Sequence, residues 1–295
     1  MEEAIDEFIR YLSFVKEAKE NSLVSYRRDL MRLLFFMRKE SINSWSEVTE
    51  DQLYSYVRSM NEKLMADTTI SRHISTIRSF WHFMVESGEL ENDITEGLKA
   101  PHIEKSLPKI LTEREIAMLL EQPNINTPKG KRDKAMLELL FATGIRASEI
   151  TRLRIDDIEF RLNCIDFKNF GQDRIVPFGQ HARGAIMDYL KGGRLNLLGD
   201  TVDEGILFLS ATGGKAMSRQ GVWKMIKKYG KMAGIKADIT PFSIRHTFAS
   251  HMIENGADIQ VVQEMLGHTD IASTQRYADN KHNYIREIYQ RTQPR

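Results

Sequence analysis

An unpatterned stretch near residue 100 constrains the fold of this chain more than any other feature. The segment ITEGLKAPHIEKSLPKILT carries Pro101 and Pro108 among charged residues and shows neither a helical nor a strand period. Such a stretch is typical of a linker, and folded domains usually contain about 100–200 residues. The 295 residues are therefore predicted to form one domain at 1–103, a linker at 104–110 and a second domain at 111–295.

Helical periodicity dominates the residues before the linker. Apolar residues recur every three or four positions in FIRYLSFV, in the segment from Tyr26 to Met37 and in TTISRHISTIRSFWHFMVESG, which is the spacing of a buried helix face. The first domain is therefore predicted to be helical. The residues predicted to cap its second, third and fourth helices are Asn21 or Ser22, Thr49, and Thr68 or Thr69.

Helices and a few short strands are predicted in the second domain. CIDF and RIVPFG have the composition of two strands of a hairpin around KNFGQD, and GILFLS is predicted to be another short strand. Helices are predicted to begin after Thr112, with Glu115 in capping-box register, after Ser218, and after Thr240. The whole chain is expected to be mostly α with a small β-sheet.

Composition excludes several classes of protein. A single cysteine, Cys164, allows neither an intramolecular disulfide nor a zinc cluster built on cysteines. The acidic N-terminus MEEAIDEFIRYL is not a secretory signal. The apolar run MRLLFFM is shorter than the roughly 20 residues that a membrane helix needs. A cytoplasmic protein with no membrane segment is expected.

Five side chains at predicted helix ends and turns could together perform phosphoryl transfer. They are Arg146 in ATGIRASEI, Lys168 in the hairpin, Arg245 in SIRHTFASH, and His268 and Tyr277 in the segment LGHTDIASTQRY. Two guanidiniums can bind the oxygens of a phosphodiester, and histidine or lysine can move a proton. A tyrosine hydroxyl can attack phosphorus to give a covalent intermediate. No cluster with metal-ligand spacing accompanies them, so no cofactor is expected.

Each of these residues also has a structural interpretation that the spacing alone leaves open. Arg146 can simply pair with Glu149 on the same turn, and Arg245 can be a structural ion-pair partner. His246, beside Arg245, has the apolar neighbours of a packing histidine. His268 follows a glycine at a predicted helix end, where a positive charge is favoured by the dipole, and Tyr277 can be a packing residue.

The same segments carry a resemblance to a known family. ATGIRASEI resembles the first-arginine motif TGxRxSE of the tyrosine recombinases. SIRHTFASHMIENGADIQVVQEMLGHTDIASTQRYAD resembles the family's second block, including its Leu-Gly-His and its tyrosine. The order Arg, Lys, Arg, His, Tyr and the nine-residue step from His268 to Tyr277 also fit. The chain is identified as a member of this family, similar over essentially its full length to the bacterial XerC/XerD type.

The resemblance implies a role for each of the five residues. Arg146 and Arg245 would hold the scissile phosphate with support from His268, Lys168 would be the general acid, and Tyr277 would form a 3′-phosphotyrosine. It also implies a helical, SAM-like core-binding domain at 1–103 and a mixed α/β catalytic domain at 111–295 that ends in a docking helix.

The partners implied by the resemblance are a double-stranded DNA recombination site and further recombinase protomers. Family members act as tetramers, so a homo- or hetero-tetramer is expected through the C-terminal helix HNYIREIYQR, although that helix could instead fold back on its own domain. An activator protein is a further possible partner. The side chains predicted to bind DNA, each of which could instead be ordinary solvated surface, are Arg72, Arg78, Lys215, Arg219 and Gln220.

Two positions depart from the family pattern. The family usually has histidine three residues before its second arginine, where this chain has Phe242. His246 is a poor substitute, because adjacent residues on a helix point about 100° apart. The hairpin FKNFGQDR is one residue longer after Lys168 than the usual GKGxKxR, and Lys168 is its only lysine.

Several functions remain open on the sequence alone. A site-specific recombinase of this type could resolve chromosome dimers or could integrate and excise a mobile element. Because of Phe242, the alternative is a sequence-specific DNA-binding protein with weakened or lost catalysis. A relaxing topoisomerase would use the same phosphotyrosine chemistry.

Overall fold

The computed structural model describes residues 1–103, 109–168, 170 and 173–267. The chain divides into two compact units, Met1–Ser106 and Leu107–Arg295. The described part is mostly helical with one small sheet, so the predicted fold class is confirmed. Within the described residues, none of the helices combines the length and the apolar character that crossing a lipid bilayer requires.

Four α-helices form the described part of the first unit, residues 1–103. They are α1 (Glu2–Phe14), α2 (Glu20–Lys39), α3 (Glu50–Glu62) and α4 (Asp67–Glu86), with a short 3₁₀ turn at Trp45–Glu47. Their apolar faces meet in one core that is rich in aromatic rings. Trp45 packs edge-on against Phe80 and Trp81, with ring centroids 5.1 Å and 5.5 Å apart.

The structure corrects two of the predicted helix starts in this unit. Thr49 does cap α3, and its backbone N–H donates to Gln52 Oε1 at 2.8 Å. Helices α2 and α4 instead begin at Glu20 and Asp67, before the predicted caps. A carboxylate in the first turn is favoured by the helix dipole, and these two acids extend each helix toward its N-terminus.

Eight α-helices and three strands form most of the described part of the second unit, with a 3₁₀ turn at Ile155–Asp157 and a π-helical turn at Leu190–Arg194. The helices are α5 (Glu113–Glu121), α6 (Pro128–Thr143), α7 (Ala147–Ile150), α8 (Gln180–Tyr189), α9 (Leu195–Leu198), α10 (Arg219–Met232), α11 (Pro241–Glu254) and α12 (Ile259–Leu266). The predicted caps at Thr112, Ser218 and Thr240 are all present.

The sheet is a three-stranded antiparallel meander in the order β1 (Ile158–Glu159), β2 (Cys164–Asp166), β3 (Ile175–Pro177). Strands β2 and β3 form the predicted hairpin, with Ile165 opposite Val176. Strand β1 is too short to show an alternating pattern in the sequence.

The prediction that GILFLS forms a strand is wrong. Its residues make isolated bridges, Arg154 with Ile206 and Leu209 with Ala216. Leu207, Phe208 and Leu209 are buried in the core. The apolar run therefore reflects burial, which periodicity alone does not distinguish from a strand.

A left-handed glycine links α6 to α7. Gly144 has φ +61°, and a Cβ built there would lie 2.4 Å from Phe248 Cδ1 and 2.9 Å from Leu266 Cδ2. Only glycine fits both the backbone conformation and the space. The turn at Gly144 packs closely against Phe248 of α11 and Leu266 at the end of α12.

This close approach predicts an unusually costly substitution. Gly144→Ala should lower the free energy of unfolding by about 3 kcal/mol, because left-handed strain adds to overpacking. Gly234→Ala is the matched control: Gly234 has φ +69°, and a Cβ added to it would meet no atom within 4 Å, so a loss of about 1 kcal/mol is expected. Urea denaturation of both variants tests this, and equal losses would contradict the packing argument.

Candidate active site

Three arginines converge on the C-terminal end of α12. Arg174 Nε donates to the carbonyl of Met265 at 3.1 Å, Arg245 Nη2 to that of Leu266 at 2.7 Å and Arg146 Nη2 to that of Gly267 at 2.9 Å. The last carbonyls of a helix have no partner within it and carry the negative end of its dipole. The three guanidiniums satisfy these groups and are thereby gathered around one helix end.

Arg146 is held where α7 begins. Its Nη1 donates to Glu149 Oε1 at 3.1 Å, and its backbone N–H donates to Glu149 Oε2 at 2.7 Å. Its side chain remains 40% exposed. The pairing with Glu149 that the sequence left open is therefore real, and it holds the arginine beside Gly267 while its side chain stays partly exposed.

Glu149 is shared between two of the arginines. Its Oε1 also accepts a hydrogen bond from Arg174 Nη2 at 2.8 Å. Burial alone would raise the pKa of Glu149, but the backbone N–H of Arg146 and the Arg174 guanidinium outweigh that effect and lower it. The carboxylate is therefore charged at neutral pH and can hold both cations. Sequence reasoning gave Glu149 only a structural role.

Arg245 lies deep in the second unit and is 5% exposed. Its Nη1 donates to the carbonyl of Gly144 at 2.7 Å, and its Nη2 donates to that of Leu266. A guanidinium this buried must be compensated by directed hydrogen bonds. These bonds connect the turn before Arg146 to the helix end before His268, so the structure brings both predicted phosphate-binding arginines to one place.

Lys168 follows β2 on the hairpin and lies apart from the arginines' hydrogen bonds. Its side chain is 74% exposed, and its Nζ lies 2.5 Å from Asp166 Oδ2. The hydrogen bond to Asp166 raises the pKa of Lys168. The hairpin backbone connects Lys168 to the rest of the site, whereas its ammonium group contacts Asp166.

His268 and Tyr277 lie outside the described residues, and so does the C-terminal helix HNYIREIYQR. The described chain reaches Gly267, the residue directly before His268. Gly267 has φ +61° and caps α12, as the sequence predicted. The three arginines therefore fix the backbone immediately before the predicted catalytic histidine.

Phe242 stands where the family usually has histidine, and His246 is the nearby histidine considered as its substitute. These two residues have opposite surroundings. Phe242 is 58% exposed on α11, whereas His246 is 3% exposed. Burial lowers the pKa of His246, which favours the neutral imidazole of a packing histidine. Phe242 shares a side of α11 with Arg245, since residues three apart on a helix are neighbours. Phe242 thus leaves room for a different side chain at this position.

The predicted DNA-binding arginines of α4 are held by protein partners. The guanidinium of Arg72 bonds to the buried carboxylate of Asp29, and that of Arg78 bonds to the carbonyl of Leu98. Asp29 Oδ1 also lies 3.2 Å from Nε2 of the buried His73. These contacts hold Arg72 in one place, with its side chain 36% exposed. Asp29 carried no pattern that could have revealed this role.

The other predicted DNA-binding residues lie on an open surface at the start of α10. Lys215, Arg219 and Gln220 are all exposed. Next to them is a cavity of about 290 Å³ to which three further lysines contribute. These lysines, which no sequence motif singled out, are Lys129, Lys224 and Lys228. Within the described residues, no group of three or more His, Cys, Asp or Glu could hold a metal ion.

Both units of the chain match models of one protein family. Residues 109–283 match the phage integrase family, and residues 5–88 match the phage integrase N-terminal SAM-like domain. Tyrosine recombinase XerD of Staphylococcus haemolyticus (strain JCSC1435) is 36% identical over 296 residues, covering 100% of both chains. XerD of Staphylococcus aureus (strain Mu50) is 38% identical with the same coverage.

Solved structures give the same fold. The XerA recombinase is 28% identical, with a TM-score of 0.55 and 99% of each chain covered. The Tn1549 transposon integrase, solved with circular intermediate DNA, is 19% identical, with a TM-score of 0.73 and 93% and 94% covered. The chain belongs to the phage integrase family. It is a tyrosine site-specific recombinase, as the sequence motifs predicted.

The shared carboxylate gives a testable pH dependence. Because the pKa of Glu149 is lowered by folding, its charge adds stability that is complete above the unfolded value of about 4.3 and is lost as the pH falls through the folded value. Glu149→Gln should lower the free energy of unfolding by about 2 kcal/mol at pH 7. The difference from the wild type should narrow below about pH 4.3.

Urea denaturation at several pH values from 7 down to about 3 measures this difference, because the change is expected below the unfolded pKa. The exposed Glu121 supplies the control, since Glu121→Gln should change stability by less than about 0.5 kcal/mol. A loss in Glu149→Gln that stays constant down to about pH 3 would mean that the carboxylate charge is not what stabilises the arginines.

Proposed function

We propose that this protein is a Xer-like recombinase that cuts and rejoins DNA strands through a 3′-phosphotyrosine. The observation that carries the proposal is the joint attachment of Arg146 and Arg245 to the end of α12, directly before His268. The XerD relatives match over the full chain, which favours the resolution of chromosome dimers over the movement of a mobile element.

Phosphate binding is the role we assign to the two arginines. Guanidiniums stay protonated at physiological pH and match the oxygens of a phosphodiester in pairs. A guanidinium has five N–H donors, and the side chain of Arg146 donates to Glu149 and Gly267 while it remains part exposed. Donors held in place before the reaction stabilise the negative charge that develops in the transition state.

Strand cleavage would then follow from the remaining side chains. The Tyr277 hydroxyl gives up its proton to solvent as it attacks phosphorus, the tyrosine O–P bond forms, and the bond from phosphorus to the 5′-oxygen breaks. Lys168 gives a proton to that oxygen, and His268 supports the phosphate. Attack on the phosphotyrosine by the 5′-hydroxyl of another strand reverses these steps. The bond energy is conserved in the covalent intermediate, so the scheme needs no cofactor.

The assembly that fits this chemistry is a tetramer on two copies of a recombination site. We propose the core-binding domain at 1–103, the linker at 104–110 and the catalytic domain at 111–295, with HNYIREIYQR docking into a neighbouring protomer. Exposed Lys215, Arg219 and Gln220 and the protein-held Arg72 and Arg78 are proposed to contact DNA, and an activator protein and a cytoplasmic location fit the same role.

A second candidate function follows from Phe242. A phenyl ring can neither donate a hydrogen bond to phosphate nor move a proton, and it is exposed on the helix that carries Arg245. A chain with this change could retain site-specific DNA binding while its catalysis is weakened or lost. The two candidates differ in whether a covalent protein–DNA product forms.

Covalent trapping distinguishes them. The full-length protein would be incubated with nicked duplexes that carry candidate sites from beside its own gene and from the replication terminus, then run on denaturing gels. We expect a shifted protein–DNA band that is absent in Tyr277→Phe, since only the hydroxyl is lost. Specific DNA binding with no such band on any site would favour the binding protein.

Restoring the family histidine should increase cleavage. Phe242→His places an imidazole on the same side of α11 as Arg245 and removes no core packing, because Phe242 is exposed. A positioned acid or base contributes typically about 10²–10⁴-fold in rate, so we expect single-turnover cleavage to rise by at least about tenfold. Phe242→Asn, which is polar but does not titrate, is the control. An unchanged rate would show that position 242 does not limit catalysis.

A further inference from the structure

Arg174 is a buried arginine to which the proposed mechanism gives no role. It directly precedes β3, and its side chain is 3% exposed. Its backbone carbonyl accepts the N–H of Phe167 at 2.9 Å. Its guanidinium lies over the Phe167 ring, 4.0 Å from the centroid. Arg174 therefore pairs with Phe167 at the base of the hairpin, and Lys168 directly follows Phe167 in the chain.

The same guanidinium leaves the hairpin and reaches the site. Nη2 donates to Glu149 Oε1 at 2.8 Å, and Nε donates to the carbonyl of Met265 at 3.1 Å. Glu149 is also the carboxylate that holds Arg146. One side chain thus ties the Lys168 hairpin to the start of α7 and to the end of α12.

A gain in folding stability alone does not explain why the Arg174 guanidinium is buried. Removing a guanidinium from water is expensive, and an apolar side chain of similar size is often as stabilising. What the guanidinium adds is direction, because its planar fork fixes two bonds at a set angle while its face stacks on an aromatic ring. The combination sets the register of the hairpin relative to the arginines.

We propose that Arg174 is a positioning residue that holds the Lys168 hairpin in register with the phosphate-binding arginines. This rests on the proposed function, in which Lys168 protonates the leaving 5′-oxygen. Without Arg174, the hairpin keeps its strands but loses its attachment to Glu149 and Met265. Lys168 then reaches the leaving oxygen less often, while Arg146 and Arg245 keep their own bonds to the carbonyls of Gly267 and Leu266.

A change of leaving group tests this proposal in the full-length protein. A thiol has a pKa of about 8.5, far below that of an alcohol, so a 5′-bridging sulfur at the scissile phosphate departs as the thiolate without an acid. Single-turnover cleavage of nicked duplexes with oxygen or sulfur at that position would be compared for the wild type, Lys168→Ala and Arg174→Met. Since a displacement of about 1 Å can cost about 10²-fold, Arg174→Met should cut the oxygen substrate about 10- to 100-fold more slowly.

Sulfur should restore cleavage by Arg174→Met to near the wild-type rate, as it should for Lys168→Ala. The double variant should be no slower on oxygen than Lys168→Ala alone. A purely structural role would slow both substrates equally. If Arg174→Met does not fold, Arg174→Lys would be compared on the two substrates instead. Lysine keeps the buried positive charge but lacks the planar guanidinium.

Arg152→Met is the matched control. Arg152 lies 5.0 Å from the ring centroid of Phe170, which itself packs edge-on against Phe167. The control removes a cation from the other end of the same aromatic stack and leaves the bonds of Arg174 in place, so it should cut both substrates at the wild-type rate.

Three results would overturn the inference. The first is an equal defect of Arg174→Met on oxygen and sulfur, and the second is no defect at all. The third is a Lys168→Ala variant that sulfur does not restore, since Lys168 would then not be the acid. Failure of the proposed function looks different, because the wild type itself would then give no Tyr277-dependent product on either substrate.

Discussion

The C-terminal end of α12 is the interaction on which the site depends. Three successive carbonyls, those of Met265, Leu266 and Gly267, each accept a guanidinium N–H. A helix end attracts cations because its carbonyls are unsatisfied and its dipole is negative there. The attraction gathers three like charges that would otherwise repel one another. Glu149 accepts hydrogen bonds from two of these guanidiniums, those of Arg146 and Arg174, and so links them to each other.

The structural and functional interpretations of these arginines are compatible. Arg146 does pair with Glu149, and Arg245 does bond to backbone carbonyls. These contacts fix the guanidiniums before DNA arrives, and fixed donors are worth more in catalysis than mobile ones because little reorganisation is needed. The turn at Gly144 also helps to fix Arg245, since the carbonyl of Gly144 accepts a hydrogen bond from the Arg245 guanidinium.

Much of the fold could be predicted because its signals are local. Caps such as Thr49, Thr112 and Thr240 and the hairpin around Lys168 follow from neighbouring residues. The starts of α2 and α4 and the buried GILFLS segment could not be predicted, because first-turn charges and tertiary burial decided them. Motif spacing selected Arg146 and Arg245, but no spacing relates Arg174 to Met265 or Arg72 to Asp29, since those contacts join residues far apart in the chain. The placement of His268 and Tyr277 remains a prediction.

The central claim, that Arg146 acts on the charge of the scissile phosphate, has a direct test. Cleavage by the wild type and by Arg146→Ala would be measured on a normal phosphate and on a methylphosphonate, which lacks one negatively charged oxygen. We expect a loss of about 10²–10³-fold on phosphate for Arg146→Ala and a much smaller loss on methylphosphonate. An equal loss on both substrates would contradict the claim, because Arg146 would then support the fold of the site without binding the phosphate.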